Sequence, residues 1–190
     1  LTTQGLLLAA GAGSRMGTPK ALVSDDGGSW LVRGVRVLDD GGCSAVTVVL
    51  GARSAEAVGL LDGLGVDVVI AADWEEGMSA SLRAGLAALP PDVDAALVLL
   101  VDLPDLTADV VRRVIASGDG PSSLARATYD GTPGHPVLIG RDHWSGVVAT
   151  ATGDRGARDY LDTQQHESVE CGDLATGEDV DTNLGPTVHP

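Results

Sequence analysis

With 190 residues, 44% of them hydrophobic, the chain is long enough for one well-buried core and short for two domains. Its formal net charge of −15 argues against general binding to nucleic acid or to an anionic membrane, since both need a basic face. No apolar run approaches the ~20 residues that span a bilayer, and the amino end lacks the basic-then-apolar layout of a signal peptide, so a cytoplasmic protein is predicted. Cys43 and Cys171 stand far apart with no C-x-x-C spacing, which predicts two reduced thiols rather than a disulfide framework or a zinc cluster.

The first predicted strand is the apolar run 6–10, and it leads into a loop with Gly11, Gly13 and Gly17 that also carries Arg15 and Lys20. Lys20 is the only lysine of the chain. A preference for arginine (11 to 1) accounts for the rarity of lysine but not for where the one lysine falls. A glycine-rich turn after a buried strand lets backbone N–H groups close on an anion, and two cations beside it hold more negative charge than one phosphate carries. A polyphosphate ligand is therefore expected, the alternative being glycines that only turn a tight corner. The loop is not a Walker motif, because Pro19 and Ala21 flank Lys20. It is not a regular dinucleotide fingerprint either: Met16 takes the third glycine position and Gly17 comes one residue late. The strand at 45–50 runs into Gly51, Ala52 and Arg53 where that fingerprint wants an acid, and Arg53 keeps an NADP reading open through a 2′-phosphate.

Further strands are predicted at 45–50, 66–71 and 95–101, with shorter ones at 124–129 and 136–139. Helical patterns at 30–38, 54–64, 79–89 and 108–116 alternate with them. The strands are nearly continuous in Val, Leu, Ile and Ala, as a parallel sheet covered on both faces requires. The prediction is one three-layer α/β/α domain over 1–190 with a mostly parallel, Rossmann-like sheet. Glycine makes up 26 of the 190 residues, about twice the usual ~7%. Many glycines sit just after a strand or just before a helix, where open α/β sheets place ligand loops. Beyond residue 140 the pattern loosens, to a short helix in 153–161 and an irregular loop in 177–185, with no repeat or linker.

Four further segments carry chemistry. GMSASLRAG (77–85) opens a helix after the third strand, so Gly77, Ser79 and Ser81 offer short donors and acceptors to a sugar or base edge, or serve as ordinary first-turn residues. In LVLLVDLPDLT (97–107) a buried strand delivers Asp102 to its carboxyl end, where Pro104 stops further pairing. A carboxylate there suits Mg²⁺, which takes a few carboxylates plus substrate phosphates. The competing expectation is that Asp102 or Asp105 caps the helix starting near Thr107, and Asp105 fits that role well. TPGHPVLIG (132–140) places His135 between Gly134 and Pro136. GDRGARDYL (153–161) carries Arg155 and Arg158, which either meet an anion or form a salt bridge at a helix end. No G-x-S-x-G elbow or H-E-x-x-H motif is present, and the four histidines show no metal spacing.

The stretch LLLAAGAGSRMGTPKAL (6–22) closely resembles the first-loop signature of the MobA-like nucleotidyltransferases, roughly L-A-A-G-x-S-x-R-M-G-x-x-K. Ala9-Ala10-Gly11 resembles the molybdenum cofactor cytidylyltransferase branch, the guanylyltransferase branch being more often Ala-Gly-Gly. The resemblance implies a fold of the nucleotide-diphospho-sugar transferase type. It also implies an Mg²⁺-dependent transfer of a nucleoside monophosphate from an NTP, CTP rather than GTP, to the phosphate of molybdopterin, with release of pyrophosphate. By the same resemblance Ala9, Ala10, Gly11, Gly13, Ser14, Arg15, Gly17, Lys20, Gly77, Ser79 and Ser81 bind the nucleotide, and Arg15, Lys20 and Asp102 are catalytic. Asp102 and Asp181, the latter in DVDT (179–182), would hold the metal. His135 and Pro136, matching G-H-P-V, and Arg155, in a run like G-D-x-G-A-R, would face the acceptor. The run Asn183-Leu184-Gly185 departs from the family's Pro-Glu-Asp or Asn-Glu-Asp after the threonine. A molybdoenzyme or its chaperone is the implied protein partner. Some relatives are described as NAD(P)H-dependent oxidoreductases acting on heteroaromatic pigments, and a catalytically silent nucleotide binder is a further alternative, as is a sugar phosphate acceptor.

Overall fold

The apolar runs pair into one seven-stranded sheet in a computed structural model that describes residues 1–181. In chain order the elements are β1 (Thr3–Ala9), a small hairpin of β2 (Ser24–Asp25) and β3 (Gly28–Ser29), α1 (Trp30–Asp40), β4 (Val46–Leu50), α2 (Ser54–Gly59) and β5 (Asp67–Ile70). They continue with α3 (Met78–Ala88), β6 (Ala95–Leu100), α4 (Ala108–Ala116), β7 (Leu124–Tyr129), β8 (Thr132–Gly140), α5 (Arg141–Thr150), α6 (Arg158–Leu161) and β9 (Glu167–Glu170). The strand order is β5-β4-β1-β6-β8-β7-β9. The pairings β4–β5, β1–β4, β1–β6 and β7–β9 are parallel, while β8 runs against both β6 and β7.

Alternation along each strand divides the apolar side chains between two cores. Leu7, Ala9, Val48, Leu50, Leu97 and Leu99 meet Leu31, Val35 and Leu38 of α1 and Val110, Val111 and Val114 of α4. Leu6, Leu8, Val49, Ala96 and Val98 face the other way, onto Leu82 and Leu86 of α3, Val147 of α5 and Leu161 of α6. The three-layer α/β/α architecture follows directly from that division. Ser29 accepts a hydrogen bond from Val32 N and so begins α1 where its apolar stripe begins.

Three departures from the sequence expectation have local causes. The helix expected over 54–64 ends at Gly59, and the chain then turns through Gly63 and Gly65 at φ of 80° and 67°. The strand expected at 136–139 extends back to Thr132, because Asp130 and Gly131 both take positive φ (50° and 79°) and close a two-residue turn with β7. β9 and α5 were not expected. β9 buries only Val169 of its four residues and exists because β7 offers it an edge; α5 fully buries only Val147.

Glu170 fastens that edge. It accepts from the backbone N–H groups of Gly172, Gly131 and Asp130 and from the Thr128 hydroxyl, and these bonds pull its pKa down to about 2. Because the folded-state pKa lies below the ordinary 4.5, its contribution is complete above that value and is lost as pH falls through 2. Thermal melts from neutral to acid pH are expected to show a shallower acid decline for Glu170→Gln than for the parent. An unchanged slope would show that these bonds do not hold the carboxylate in solution.

Candidate active site

The site lies at the carboxyl ends of β1 and β6, where open α/β sheets bind ligands. A pocket of about 470 Å³ is lined there by Ala9 through Met16, Lys20, Asp102 and Asp181 and by Trp74, Glu75, Gly77, Met78, Ser81 and Asp154. The loop after β1 is held tight at Gly13, whose carbonyl accepts from Met16 N and Gly17 N, both at 2.9 Å. Gly13 has φ 62°, and a Cβ there would stand 1.9 Å from the Thr18 carbonyl oxygen, so only glycine makes this turn. Pro19 then starts a single 3₁₀ turn, Lys20–Leu22, that buries Ala21 and directs the Lys20 side chain into the pocket.

Lys20 Nζ donates to Asp102 Oδ2 at 2.5 Å and to Asp181 Oδ1 at 2.6 Å, and Arg15 Nη1 reaches Asp181 Oδ2 at 2.9 Å. The side chains of Lys20 and Asp102 are only 18% and 15% exposed. Burial opposes the charge on Lys20, but the hydrogen bonds and fields of Asp102 and Asp181 outweigh it and raise its pKa. The bond from Lys20, aided by Arg15, lowers that of Asp181.

The other Asp102 oxygen, Oδ1, is buried and has no hydrogen-bond partner among the described residues. A buried carboxylate oxygen left open in this way costs free energy unless something else fills it. Asp102, Asp179 and Asp181 each bring an oxygen to within 4.8 Å of the other two. Such an all-carboxylate set suits a hard divalent cation. Asp179 carries no motif of its own in the sequence, where it stands two residues before Asp181. That segment is fixed by Val180 N donating to the Asp102 carbonyl at 3.0 Å. Thr182 and the Asn183-Leu184-Gly185 run lie outside the described residues.

Of the other residues singled out in the sequence, Ala9, Ala10, Gly11, Gly13, Ser14, Arg15, Gly77 and Ser81 line the pocket, while Gly17 and Ser79 do not. Ser79 is buried, and its hydroxyl accepts from Gly156 N at 3.2 Å, so it ties α3 to the 153–156 loop. Asp105 does not cap α4. It accepts from the Thr176 N–H at 2.6 Å and hydroxyl at 2.7 Å and so draws the tail toward Asp102, while Thr107 occupies the cap position without a side-chain bond. Arg155 pairs with Asp159, the helix-end salt bridge rather than an open cation, and Arg53 pairs with Glu56 outside the pocket.

His135 and the buried Pro136 also lie outside the pocket lining. Val137 pairs with Val98, so β8 carries His135 toward the level of Leu100, a pocket residue. The Arg126 Nε donates to the Gly134 carbonyl at 3.1 Å, beside His135. Burial, reinforced by Arg126 and Arg158, pulls the His135 pKa down to about 4. Seven of the eleven arginines pair with carboxylates, whereas among the described residues Arg126 and Arg158 do not. Burial and the neighbouring Arg158 lower the Arg126 pKa, against the pull of Asp162. Nothing in the sequence marks Arg126, because a lone arginine in a strand carries no motif.

A mostly parallel α/β sheet here presents a glycine-rich loop, cations and clustered carboxylates at its carboxyl edge, an arrangement suited to a polyphosphate and a divalent cation. Residues 5–169 match the MobA-like NTP transferase domain, and the chain belongs to that family. Nicotine blue oxidoreductase of Paenarthrobacter nicotinovorans is 36% identical over 188 residues, covering 94% of this chain and 91% of that protein. Among solved structures, Rv0371c from Mycobacterium tuberculosis H37Rv superposes with a TM-score of 0.80 at 28% identity, over 95% of this chain and 93% of that one. A complex of Rv0371c with manganese superposes at 0.74 with 26% identity, over 90% and 88% of the two chains.

His135 is expected to remain neutral down to about pH 5 in an NMR titration of its ring resonances, protonating near 4. Because Arg126 contributes to that depression, Arg126→Ala should move the transition upward. Titration near the ordinary 6.5 would contradict the burial of the ring as well as its closeness to the two arginines.

Proposed function

We propose that the protein is a metal-dependent nucleotidyltransferase that moves a nucleoside monophosphate from an NTP to the phosphate of a molybdopterin-type acceptor and releases pyrophosphate. In this reading the whole chain works as one nucleotidyltransferase domain. The observation that carries it is the one lysine of the chain held against Asp102 and Asp181 at the mouth of a glycine turn, beside an open Asp102 oxygen. Lys20 is poised to exchange these carboxylates for phosphate oxygens, with Arg15 beside it. The N–H groups of the 11–17 loop supply further donors. Asp102, Asp179 and Asp181 would hold Mg²⁺, which when bound supplies charge neutralisation at the α-phosphate. An ionised acceptor phosphate needs no strong base, in keeping with a neutral His135. Positioning and charge stabilisation then account for most of the rate.

CTP is favoured over GTP by the Ala9-Ala10-Gly11 likeness to the cytidylyltransferase branch. On the acceptor side we assign His135 and Pro136 the rim, and Arg126 with Arg158, rather than Arg155, the contact with acceptor anions. A second reading, an NAD(P)H-dependent oxidoreductase, is favoured by the identity to nicotine blue oxidoreductase. It lacks its expected 2′-phosphate ligand, because Arg53 is paired with Glu56 away from the pocket. Titrating NADPH against CTP with and without Mg²⁺ separates the two, since metal-dependent binding belongs to the transferase.

Pyrophosphate release from CTP or GTP with Mg²⁺ and molybdenum cofactor should fall on the order of 10²–10³ in Lys20→Ala, by analogy with loss of one preorganised donor. Asp102→Ala should fall at least as far, both variants keeping the parent's circular dichroism. Undiminished release without Lys20 would refute the mechanism.

A further inference from the structure

Two chemically different groups of residues line the pocket. Arg15, Lys20, Asp102 and Asp181, joined by ion pairs, make one of them, beside Met16 and Ala21 on the α1 face of the sheet; the other is the amino end of α3 with Asp154 against it, beside Trp74 and Met78 on the opposite face. An open helix amino terminus attracts anions, but this one is already filled. Asp154 Oδ1 accepts from Met78 N at 3.2 Å, from a loop 76 residues away in sequence. Gly77, at φ 104°, leaves the space: a Cβ there would stand 2.5 Å from Asp154 Oδ1. The same loop is fastened a second time by Gly156 N on the Ser79 hydroxyl. Asp154 is therefore a positioned carboxylate. Among the described residues its second oxygen makes no hydrogen bond, nor does the hydroxyl of the buried Ser81, and both residues line the pocket.

We infer that Asp154 is the residue that orients and selects the nucleoside end of the ligand, its free oxygen accepting from an N–H or O–H of the base or ribose. A phosphate brought to this end would face the carboxylate and be repelled, whereas a neutral hydrogen-bond donor would be held. The triphosphate tail is thereby directed to Lys20 and Arg15. Ser81, one turn into α3, supplies the second polar contact on the same wall. The inference rests on the triphosphate reading of the pocket proposed above and goes beyond it by naming what holds the uncharged half.

Asp154→Asn tests this. It keeps an oxygen for Met78 N but replaces the free acceptor with an N–H₂ donor. Calorimetry with Mg²⁺ should show CTP and GTP bound about tenfold more weakly by the variant, the scale of one charge-assisted hydrogen bond. Tripolyphosphate, which has no nucleoside, should bind parent and variant equally. A ribose donor is indicated if 2′,3′-dideoxy-CTP already binds the parent as weakly as CTP binds the variant; otherwise the donor is a base amine. Equal losses for nucleotide and tripolyphosphate, or no loss for either, would overturn the assignment. Should Asp154→Asn melt at a lower temperature, the ratio of the two affinities still decides, because partial unfolding lowers both together. A parent that binds neither ligand removes the triphosphate reading itself, a result distinct from failure of the Asp154 contact alone.

Discussion

A single ammonium between two carboxylates, Lys20 against Asp102 and Asp181, is the interaction from which the rest of the site follows. The chain carries a net charge of −15, so a polyanion would be repelled almost anywhere else on its surface. Asp102, Asp179 and Asp181 outnumber Lys20 and Arg15 and leave the cluster one charge negative, which draws a cation to it. Breaking a largely buried pair of this kind by removing one partner is costly because the survivor remains unpaired. Exchange of one anionic partner for another is the less costly course, and a triphosphate carrying its own metal offers that exchange. The same contacts that hold Lys20 in the pocket thus define what can replace them.

The fold brings these groups together by sheet geometry. Parallel β1 and β6 end at the same edge, which puts the Gly13 turn and Asp102 side by side. β8 runs the other way, so its beginning rather than its end approaches that edge, with His135 there. The tail then crosses the mouth, held by Thr176 on Asp105 and by Val180 N on the Asp102 carbonyl, and supplies Asp179 and Asp181. Residues from distant parts of the chain meet because each sits at a strand end or on a segment pinned to one.

What could be read in the sequence was what local chemistry fixes. The apolar runs around Leu7, Val48 and Val98 admitted only a covered sheet, and Gly13, Lys20 and Asp102 stood in segments with few other physical uses. The unread features depend on partners far along the chain. β9 is polar except for Val169 and becomes a strand only against β7. Asp154 reads as a loop acid until it meets Met78 N, and Asp105 reads as a helix cap until Thr176 takes it. Arg155 stood in a motif but is paired with Asp159, whereas Arg126, without a motif, lies beside His135. Asp179 stands two residues before Asp181, but only the bond from Val180 N to the Asp102 carbonyl brings that segment and both its carboxylates to the site.

The central claim is that Lys20 holds the place of a metal–triphosphate complex. The most direct measurement is a crystal structure of the protein with Mn²⁺ and a non-hydrolysable CTP or GTP analogue, with the manganese located by anomalous scattering. The account predicts an anomalous peak among Asp102, Asp179 and Asp181, with Lys20 Nζ moved onto a phosphate oxygen. A manganese peak elsewhere, or Lys20 still bridging Asp102 and Asp181 with the nucleotide bound, would contradict it.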